Sequence, residues 1–409
     1  MLYSNKAKRS RRQAAAGRRQ AAAGSRQTDR RMDKVRSFIK ENRELLLFFA
    51  VSRLFFAVMM LLSRHSYPEI LGLFDTEHYR NIASYGYYHE SISAFFPMIP
   101  LLIKLTGDIG LLVINEFAFL LTLFLTKDLL MKDYKVPAAS VNMTLAIISL
   151  SPAAFFSMLE YTESIFLYLT LSAFVLFKRN LHPVLMGVLI GLSVFTRNVG
   201  ALLFFCIFAG MCLRWARKEI RFTRIVAAYV PATLISLIFP VYLHFKLGNW
   251  SVFLSSQYDY WLKIHSNIAK TVYWNLRYIF TDNFPYDAQD TRILFKTNEA
   301  LTFIIFCFVL FIAGREIYYA VRKKRLAADS LVLVSYALLC VISFSSTIRD
   351  PLIDCPTDSF YRYYLSMFPI FILPAKRPLP QAPRLGIFAF TALMSMVTSL
   401  FFSMGVFFF

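Results

Sequence analysis

Long apolar runs, more than any motif, limit what this chain can fold into. Eleven such runs lie at about 45–62, 109–126, 136–158, 161–177, 183–196, 199–213, 225–245, 299–314, 329–346, 363–375 and 385–409. A helix needs roughly 20 apolar residues to cross the ~30 Å hydrocarbon core of a bilayer. Several runs fall short of that length, so the number of spans is an estimate. The sequence predicts an all-α polytopic membrane protein with about eleven transmembrane helices.

The composition supports the same class. Of the 409 residues, 57% are hydrophobic and 17% are charged, whereas a soluble domain has about 45–50% apolar and about 25% charged residues. This difference excludes a disordered protein and a soluble enzyme with one membrane anchor. The five cysteines show neither a CxxC motif nor the spacing of a zinc site, so neither a metal nor a disulfide framework is predicted.

Basic residues are unevenly distributed along the chain, whose net charge is +20. Residues 1–44 form a tail with 14 Lys or Arg and 4 Asp or Glu, and its RRQAAAGRRQAAAG stretch is typical of disorder or a loose helix. With the tail inside, the loops 127–135, 178–182, 214–224, 315–325 and 376–384 add 18 basic residues, against 12 on outer segments. The positive-inside rule then predicts a cytoplasmic N-terminus. We interpret the charge as a topology signal that can touch anionic lipids, and not as a nucleic-acid site.

The outer side carries the two longest segments between spans. Residues 63–108 include AFFPMIPLLIKL at 94–105, which is too short to span and contains two prolines, as in an interfacial or re-entrant helix. Residues 246–298 are rich in Trp and Tyr, which suits a membrane interface, a sugar-stacking surface or a lipid tail. We therefore predict a basic tail, 1–44, and one multi-spanning domain, 45–409, whose candidate site lies on the outer side.

The most informative stretch is FDTEHYRNIASYGYYHESISAFFPMIP at 74–100. Asp75 lies near the end of the first span, and an aspartate at the membrane surface can act as a general base toward a sugar hydroxyl. Glu77 and His78 follow within one turn and could orient that base or hold a phosphate. The alternative is a group of solvated charges at the interface.

Four further charged residues lie at the outer ends of later runs. Glu160 and Glu163, in LEYTES, form a second acidic group that could face the same cavity as Asp75. Arg197 lies in a tight turn between two runs, and Arg362 lies among tyrosines in FYRYYLSMFP. Arginine suits a phosphate because its planar fork binds two oxygens. Each could instead be an interface residue: a capping acid, a snorkelling arginine or part of an aromatic belt.

Other functional classes stay open at this point. The chain has no Walker loop, no GxGxxG after a strand, no HExxH and no GxSxG, so an energised donor at the outer face would have to arrive as a lipid. A transporter or flippase of a lipid-linked sugar would place polar groups near the midplane, often in two repeated halves. A non-catalytic subunit of a complex is a third class. Arg53 could pair with Glu116 inside the membrane, where unpaired charge is costly.

The same residues carry a resemblance to a known family. DTEHYRNIASYGY followed by AFFPMIPLL is similar to the signature loop of the PIG-V family, the second mannosyltransferase of GPI-anchor assembly and its prokaryotic relatives. SPAAFFSMLEYTESIF at 151–166, TRNVG at 196–200 and FYRYYLSMFP at 360–369 resemble later blocks. The chain departs from the family where Phe74 replaces a usual Trp. It departs again where Asn-Val-Gly follows Arg197 in place of Ser-Asn-Gly.

The resemblance implies a GT-C glycosyltransferase fold with an extracytoplasmic site. It implies an inverting, single-displacement transfer of mannose from a polyprenyl- or dolichyl-phosphate donor. The acceptor would be a GPI precursor, another lipid-linked or cell-surface glycan, or a protein. Asp75 would be the general base, and the substrate-binding candidates would be Glu77, His78, Glu160, Glu163, Arg197 and Arg362.

The resemblance implies no cofactor and no metal. The partners would be the donor, the acceptor and membrane lipids, and the prediction allows for a small membrane subunit. A prokaryotic enzyme of this kind would lie in the cell membrane, and a eukaryotic one in the endoplasmic reticulum membrane.

Overall fold

The computed structural model describes residues 32–281, 292–324, 326–351, 355–357 and 360–406. Its contacts divide the chain into two units, Met1–Val51 and Ser52–Phe409. The second unit contains every candidate site residue. In the first unit residues 32–41 are helical. Residues 1–31 of the predicted tail and 282–291 of the second long outer segment lie outside the described residues.

The described chain is a succession of helices. The first part contains α1 (Arg43–Leu62), α2 (Tyr67–Leu71), α3 (Asp75–Tyr85), a 3₁₀ turn (Glu90–Ala94), α4 (Met98–Asp128) with a π-helical extension (Leu129–Asp133), α5 (Ala138–Ser149), α6 (Pro152–Phe155) with a 3₁₀ turn (Phe156–Met158), α7 (Glu163–Arg179), α8 (Pro183–Thr196) and α9 (Gly200–Ala216). The second part contains α10 (Phe222–Leu247), α11 (Val252–Asp259), β1 (Lys263–His265), α12 (Ile268–Phe280), α13 (Arg292–Arg322), α14 (Ala328–Ser345), β2 (Thr347–Arg349), α15 (Phe360–Leu365), α16 (Pro369–Lys376) and α17 (Gln381–Ser403).

Six of the described helices are long and apolar enough to cross a bilayer: α1, α4, α10, α13, α14 and α17. The pair α5 and α6, bent by 61° at the break before Pro152, would make a seventh span. Helices α8 and α9 are apolar but have only 14 and 17 residues. The chain is therefore a multi-pass helical membrane protein, as predicted, while the count of eleven spans is not confirmed.

Helix α4 contains a break that separates two predicted segments. Gly107 has a φ of 71° and a ψ of 175°, a conformation that glycine reaches without a Cβ clash. Residues 98–106, before the break, cover most of the stretch predicted as an interfacial helix. The part after the break contains the apolar run at 109–126.

Close packing of α8 on α10 depends on small residues. A Cβ on Gly187 would lie 1.9 Å from the carbonyl oxygen of Ala228, and one on Gly191 would lie 2.7 Å from Cβ of Ile235. In lipid, helices associate through such close contacts because no hydrophobic force drives them together. This packing supports the turn between α8 and α9, where Arg197 lies.

The helices define two ends of the Ser52–Phe409 unit. We call the end where α3, α7 and α15 begin the site end, and the end where α17 begins the opposite end. Helix α17 returns to the site end, where the ring of Phe402 packs edge-on against Phe155 and Phe156 at 5.4 and 5.6 Å. Strands β1 and β2 pair antiparallel, with Ile264 opposite Ile348, and so join the segments that follow α11 and α14.

Candidate active site

Four of the predicted residues meet at the site end, although they come from distant parts of the chain. Arg362 donates to Asp75 Oδ2 across 3.0 Å, and its side chain also lies 3.3 Å from Glu163 Oε1. Arg197 donates to the same Glu163 oxygen across 2.9 Å. These four residues, which we call the charge cluster, alternate carboxylates with guanidinium groups and have no net charge.

The backbone before Asp75 places its carboxylate in the charge cluster. Phe74 has a φ of 55° and a ψ of −122°, a conformation that costs energy in any residue with a side chain. Its ring packs edge-on against Phe402 at 5.2 Å. Asp75 then begins α3, where the positive end of the helix dipole favours a carboxylate.

The members of the charge cluster differ in their access to solvent. The side chain of Glu163 is 2% exposed, and those of Arg362 and Arg197 are 9% and 13% exposed. The side chain of Asp75 is 27% exposed. A buried charge is tolerated when it is paired and hydrogen-bonded. Glu163 is therefore the shared counter-ion of the two arginines, and Asp75 is the more accessible of the two carboxylates.

Aromatic rings surround the two guanidinium groups. Arg362 lies 5.2–5.3 Å from the ring centres of Phe156, Tyr161 and Tyr363. Arg197 lies 4.8 Å from the ring centre of Tyr363. Such contacts stabilise a cation that has left bulk water. Burial by itself would lower the pKa of Arg362, but the carboxylates of Asp75 and Glu163 hold that pKa well above its ordinary value.

Several polar atoms near the charge cluster have no hydrogen-bond partner among the described residues. They are the hydroxyls of Thr76 and Tyr161 and the second carboxylate oxygen of Glu163. Buried polar atoms are nearly always paired in folded proteins. Burial, followed by the charge of Asp75, raises the pKa of Tyr161, so its hydroxyl stays neutral and can donate. The region can therefore accept further polar contacts.

The other predicted site residues do not join the charge cluster. Glu77 is exposed on α3 and pairs with none of its members. His78 stacks on Phe95 at 4.7 Å and meets the edge of Trp261 at 5.4 Å. Glu160 accepts two hydrogen bonds from another residue, Arg80, at 2.6 and 2.9 Å. Glu160 and Glu163 thus face different arginines rather than one shared acidic patch.

The pair of Arg80 with Glu160 was missed by the sequence analysis, although Arg80 lies in the informative stretch. Arg80 is also 3.2 Å from Asp108, which follows the break in α4. Five residues along a helix turn a side chain by about 140°, so Arg80 lies on a different face of α3 from Asp75. The five-residue spacing therefore predicts that Asp75 and Arg80 contact different neighbours, but it does not identify those neighbours.

Two further observations bear on predicted features. Arg53 donates to both oxygens of Glu116, at 2.9 and 3.1 Å, so the intramembrane pair is confirmed. Among the described residues no group of three or more His, Cys, Asp or Glu side chains is arranged to hold a metal ion.

Comparison with known proteins finds a similar fold without a similar sequence. Neither protein-family models nor curated proteins give a match. The apo structure of the oligosaccharyltransferase of Archaeoglobus fulgidus aligns with a TM-score of 0.50 and 13% identity, over 87% of this chain and 56% of that one. A structure of AglB from that organism, with an inhibitory peptide and a dolichol-phosphate, aligns with a TM-score of 0.43 and 12% identity, over 89% and 56%.

The similarity concerns the fold. The chain shares a fold with the aligned part of the archaeal enzyme, and it spans a little over half the length of that enzyme.

Proposed function

We propose that this protein is an inverting glycosyltransferase that moves mannose from a polyprenyl- or dolichyl-phosphate donor to an acceptor hydroxyl at the site end. The observation that carries the proposal is the charge cluster: one accessible carboxylate, Asp75, beside two buried arginines, in a GT-C type fold. We place the site end on the extracytoplasmic side, because the basic loops predicted to be cytoplasmic lie at the opposite end.

The two arginines would bind the donor phosphate. A sugar linked to a lipid phosphate is a phosphodiester with one negative charge, and departure of the sugar leaves a monoester of about −1.5 to −2. Arg197 and Arg362 are already aligned by Glu163. They would therefore stabilise the charge that grows on the leaving group without reorganising. Their aromatic walls would keep water away from that phosphate.

Asp75 would take the proton of the acceptor. The acceptor oxygen forms a bond to the anomeric carbon of mannose from the face opposite the phosphate, and the bond from that carbon to the phosphate oxygen breaks. The acceptor proton passes to Asp75, and the electron pair stays on the lipid phosphate. A single displacement of this kind inverts the anomeric configuration, and general-base catalysis contributes about 10²–10⁴-fold.

The ion pair of Asp75 with Arg362 suggests an order of events. The donor phosphate competes with Asp75 for the guanidinium group, because both are anions within reach of it. Donor binding would therefore release Asp75 from its cation and leave the carboxylate a stronger base. Glu163 cannot take this role, because its side chain is buried between two cations.

The remaining predicted residues would contribute around this centre. His78 lies one turn after Asp75 on α3, and its ring stacks on Phe95. It would present an aromatic surface to the acceptor sugar. Glu77 is exposed at the same end and could bind acceptor hydroxyls. Glu160 would act indirectly, because its two bonds to Arg80 fix α3 and so position Asp75.

The test is an assay of purified protein in lipid with radiolabelled polyprenyl-phosphate mannose and a membrane lipid extract. Asp75→Asn keeps the shape of the side chain and removes the base. We expect the wild type to transfer label and Asp75→Asn to be slower by about 10²–10⁴-fold, with donor binding retained. Glu90→Gln is the matched control, because this exposed carboxylate of the same segment accepts a hydrogen bond from Tyr260 and is bonded to no member of the charge cluster.

Equal transfer by wild type and Asp75→Asn would reject Asp75 as the base. The transporter of lipid-linked sugars remains the alternative, and the intramembrane pair of Arg53 with Glu116 is the feature that favours it. Labelled donor that crosses sealed vesicles without forming any product, and is blocked by Arg53→Gln, would support that alternative instead.

A further inference from the structure

A groove on the surface of the Ser52–Phe409 unit has no member of the charge cluster in its lining. It is formed by α5, α13, α16 and α17. Its walls are almost entirely apolar and include Met143, Ile304, Phe308, Phe371 and Phe390. Ile304 is half-exposed, so the groove is open toward the surrounding lipid.

A cation closes one end of this groove. Arg384, in the first turn of α17, is the charged residue that lines it within the described part of the chain. Within the described residues its side chain makes one hydrogen bond, to the hydroxyl of Ser140 at 2.8 Å, and its buried Nε has no partner. An arginine in this setting is suited to a phosphate oxygen.

The length of the groove matches one leaflet of a bilayer. Along α17 its lining runs from Arg384 to Met394, which is about 15 Å at the rise of an α-helix. This is about half of the ~30 Å hydrocarbon core. Because Arg384 lies at the opposite end, the lipid headgroup that meets it belongs to the leaflet farther from the charge cluster.

We propose that this groove binds the acyl chain of one anionic glycerophospholipid, whose phosphate contacts Arg384. The lipid enters from the leaflet at the opposite end and fills the space between α13 and α17. Charge selects the ligand, since a zwitterionic headgroup gains less than an anionic one from an arginine that has no carboxylate partner among the described residues. The inference does not depend on the glycosyltransferase activity, because no member of the charge cluster takes part.

Native mass spectrometry of the delipidated full chain in detergent tests the proposal. The probes are phosphatidylglycerol and phosphatidylcholine with identical acyl chains. We expect one phosphatidylglycerol to bind the wild type about tenfold more tightly than phosphatidylcholine. Arg384→Gln should abolish that preference, whereas Arg384→Lys should retain part of it. Ile304→Trp, which fills the groove from an exposed position, should weaken both lipids.

Two matched controls separate a site from a general surface effect. Leu310→Trp adds the same bulk at an exposed position of α13 outside the groove, and Arg377→Gln removes a basic residue that is paired with Glu316. Both should bind lipid as the wild type does. Equal binding of the two lipids by the wild type, or unchanged binding by Arg384→Gln and Ile304→Trp, would overturn the proposal.

A third lipid tests whether the groove instead holds the isoprenoid chain of a polyprenyl phosphate. Polyprenyl phosphate should not displace phosphatidylglycerol from the wild type. If it does, and if Ile304→Trp and Arg362→Gln weaken its binding while Arg384→Gln does not, the groove holds the isoprenoid chain of a lipid anchored at the site end. That result would also refute the proposal.

Discussion

Two groups of charged residues lie at the two ends of the Ser52–Phe409 unit, and they differ in how completely they are paired. At the opposite end Glu316 accepts hydrogen bonds from Lys376, Arg377 and Ser330 at 2.6–2.8 Å. In the charge cluster Glu163 shares one oxygen between two arginines, and its other oxygen has no hydrogen-bond partner in the described part of the chain. Both oxygens of Glu316 are therefore hydrogen-bonded, whereas Glu163 can still accept a hydrogen bond on one oxygen.

We infer from this difference which charged residues stabilise the fold and which are available to a ligand. A saturated carboxylate holds helices together, and a substrate could reach its bonds only by breaking them. An incompletely paired group gives up stability, because unpaired buried polar atoms cost about 1–3 kcal/mol each. Proteins tolerate that cost where a ligand supplies the missing partners. By this criterion we expect catalysis at the site end, whereas the ion pairs of the opposite end hold helices together.

The largest effect that would distinguish the two ends is on activity. Arg362→Gln should lower kcat/KM for the lipid-phosphate donor by about 10- to 100-fold, since a charge-assisted hydrogen bond is worth about 1.5–3 kcal/mol. Arg377→Gln removes a bond of similar length at the opposite end, and its kcat/KM should stay within about twofold of the wild type. Steady-state transfer of radiolabelled mannose measures both.

Thermal unfolding of the two variants provides the control. If Arg377→Gln lost as much activity as Arg362→Gln while both stayed folded, pairing would not separate functional from structural charge.

The second effect is on stability. Glu163→Gln leaves two buried arginines, of which only Arg362 keeps a carboxylate partner, so we expect a loss of about 3 kcal/mol. Glu316→Gln should cost less, because Arg377 is 27% exposed and can turn toward water, whereas both arginines beside Glu163 are less exposed. Thermal unfolding in one detergent compares them. A larger fall in Tm for Glu316→Gln would contradict the assignment of Glu163 as the shared counter-ion.

The class of fold could be predicted from the sequence because bilayer thickness imposes a length on apolar helices. The runs at 109–126 and 225–245 accordingly lie within α4 and α10. The number of spans could not be predicted in the same way. A run such as 136–158 folds as two short helices bent by 61°, and hydropathy does not record the bend.

Four of the seven predicted site residues meet, and the sequence contains the reason. Asp75, Glu163, Arg197 and Arg362 all lie at helix ends that alternation of spans places on one side. Which carboxylate meets which arginine could not be predicted, because the two acids of LEYTES lie three residues apart and yet face different partners. The pairing depends on the turn between α6 and α7 and on the face that α3 presents.

The smallest effect concerns Glu160, which lies at the site end but is saturated by Arg80, like the acids of the opposite end. Burial raises the pKa of Glu160 above its ordinary value of 4.5, and the bonds from Arg80 offset only part of that rise. The folded state therefore binds this proton more tightly than the unfolded state. The stability that the proton contributes is present below pH 4.5 and is lost as the pH rises through the raised pKa.

Glu160→Gln removes this titration. The Tm of the wild type minus that of Glu160→Gln should therefore fall as the pH is raised from 4.5 toward neutrality, by the equivalent of about 1 kcal/mol or less. In Arg80→Gln the Tm should fall more steeply with rising pH than it does in the wild type. Burial then raises the pKa of Glu160 without an opposing cation. A Tm difference that rose with pH would mean that Arg80 outweighs burial. Glu160 would then stabilise α3 in its ionised form, through its two bonds to Arg80.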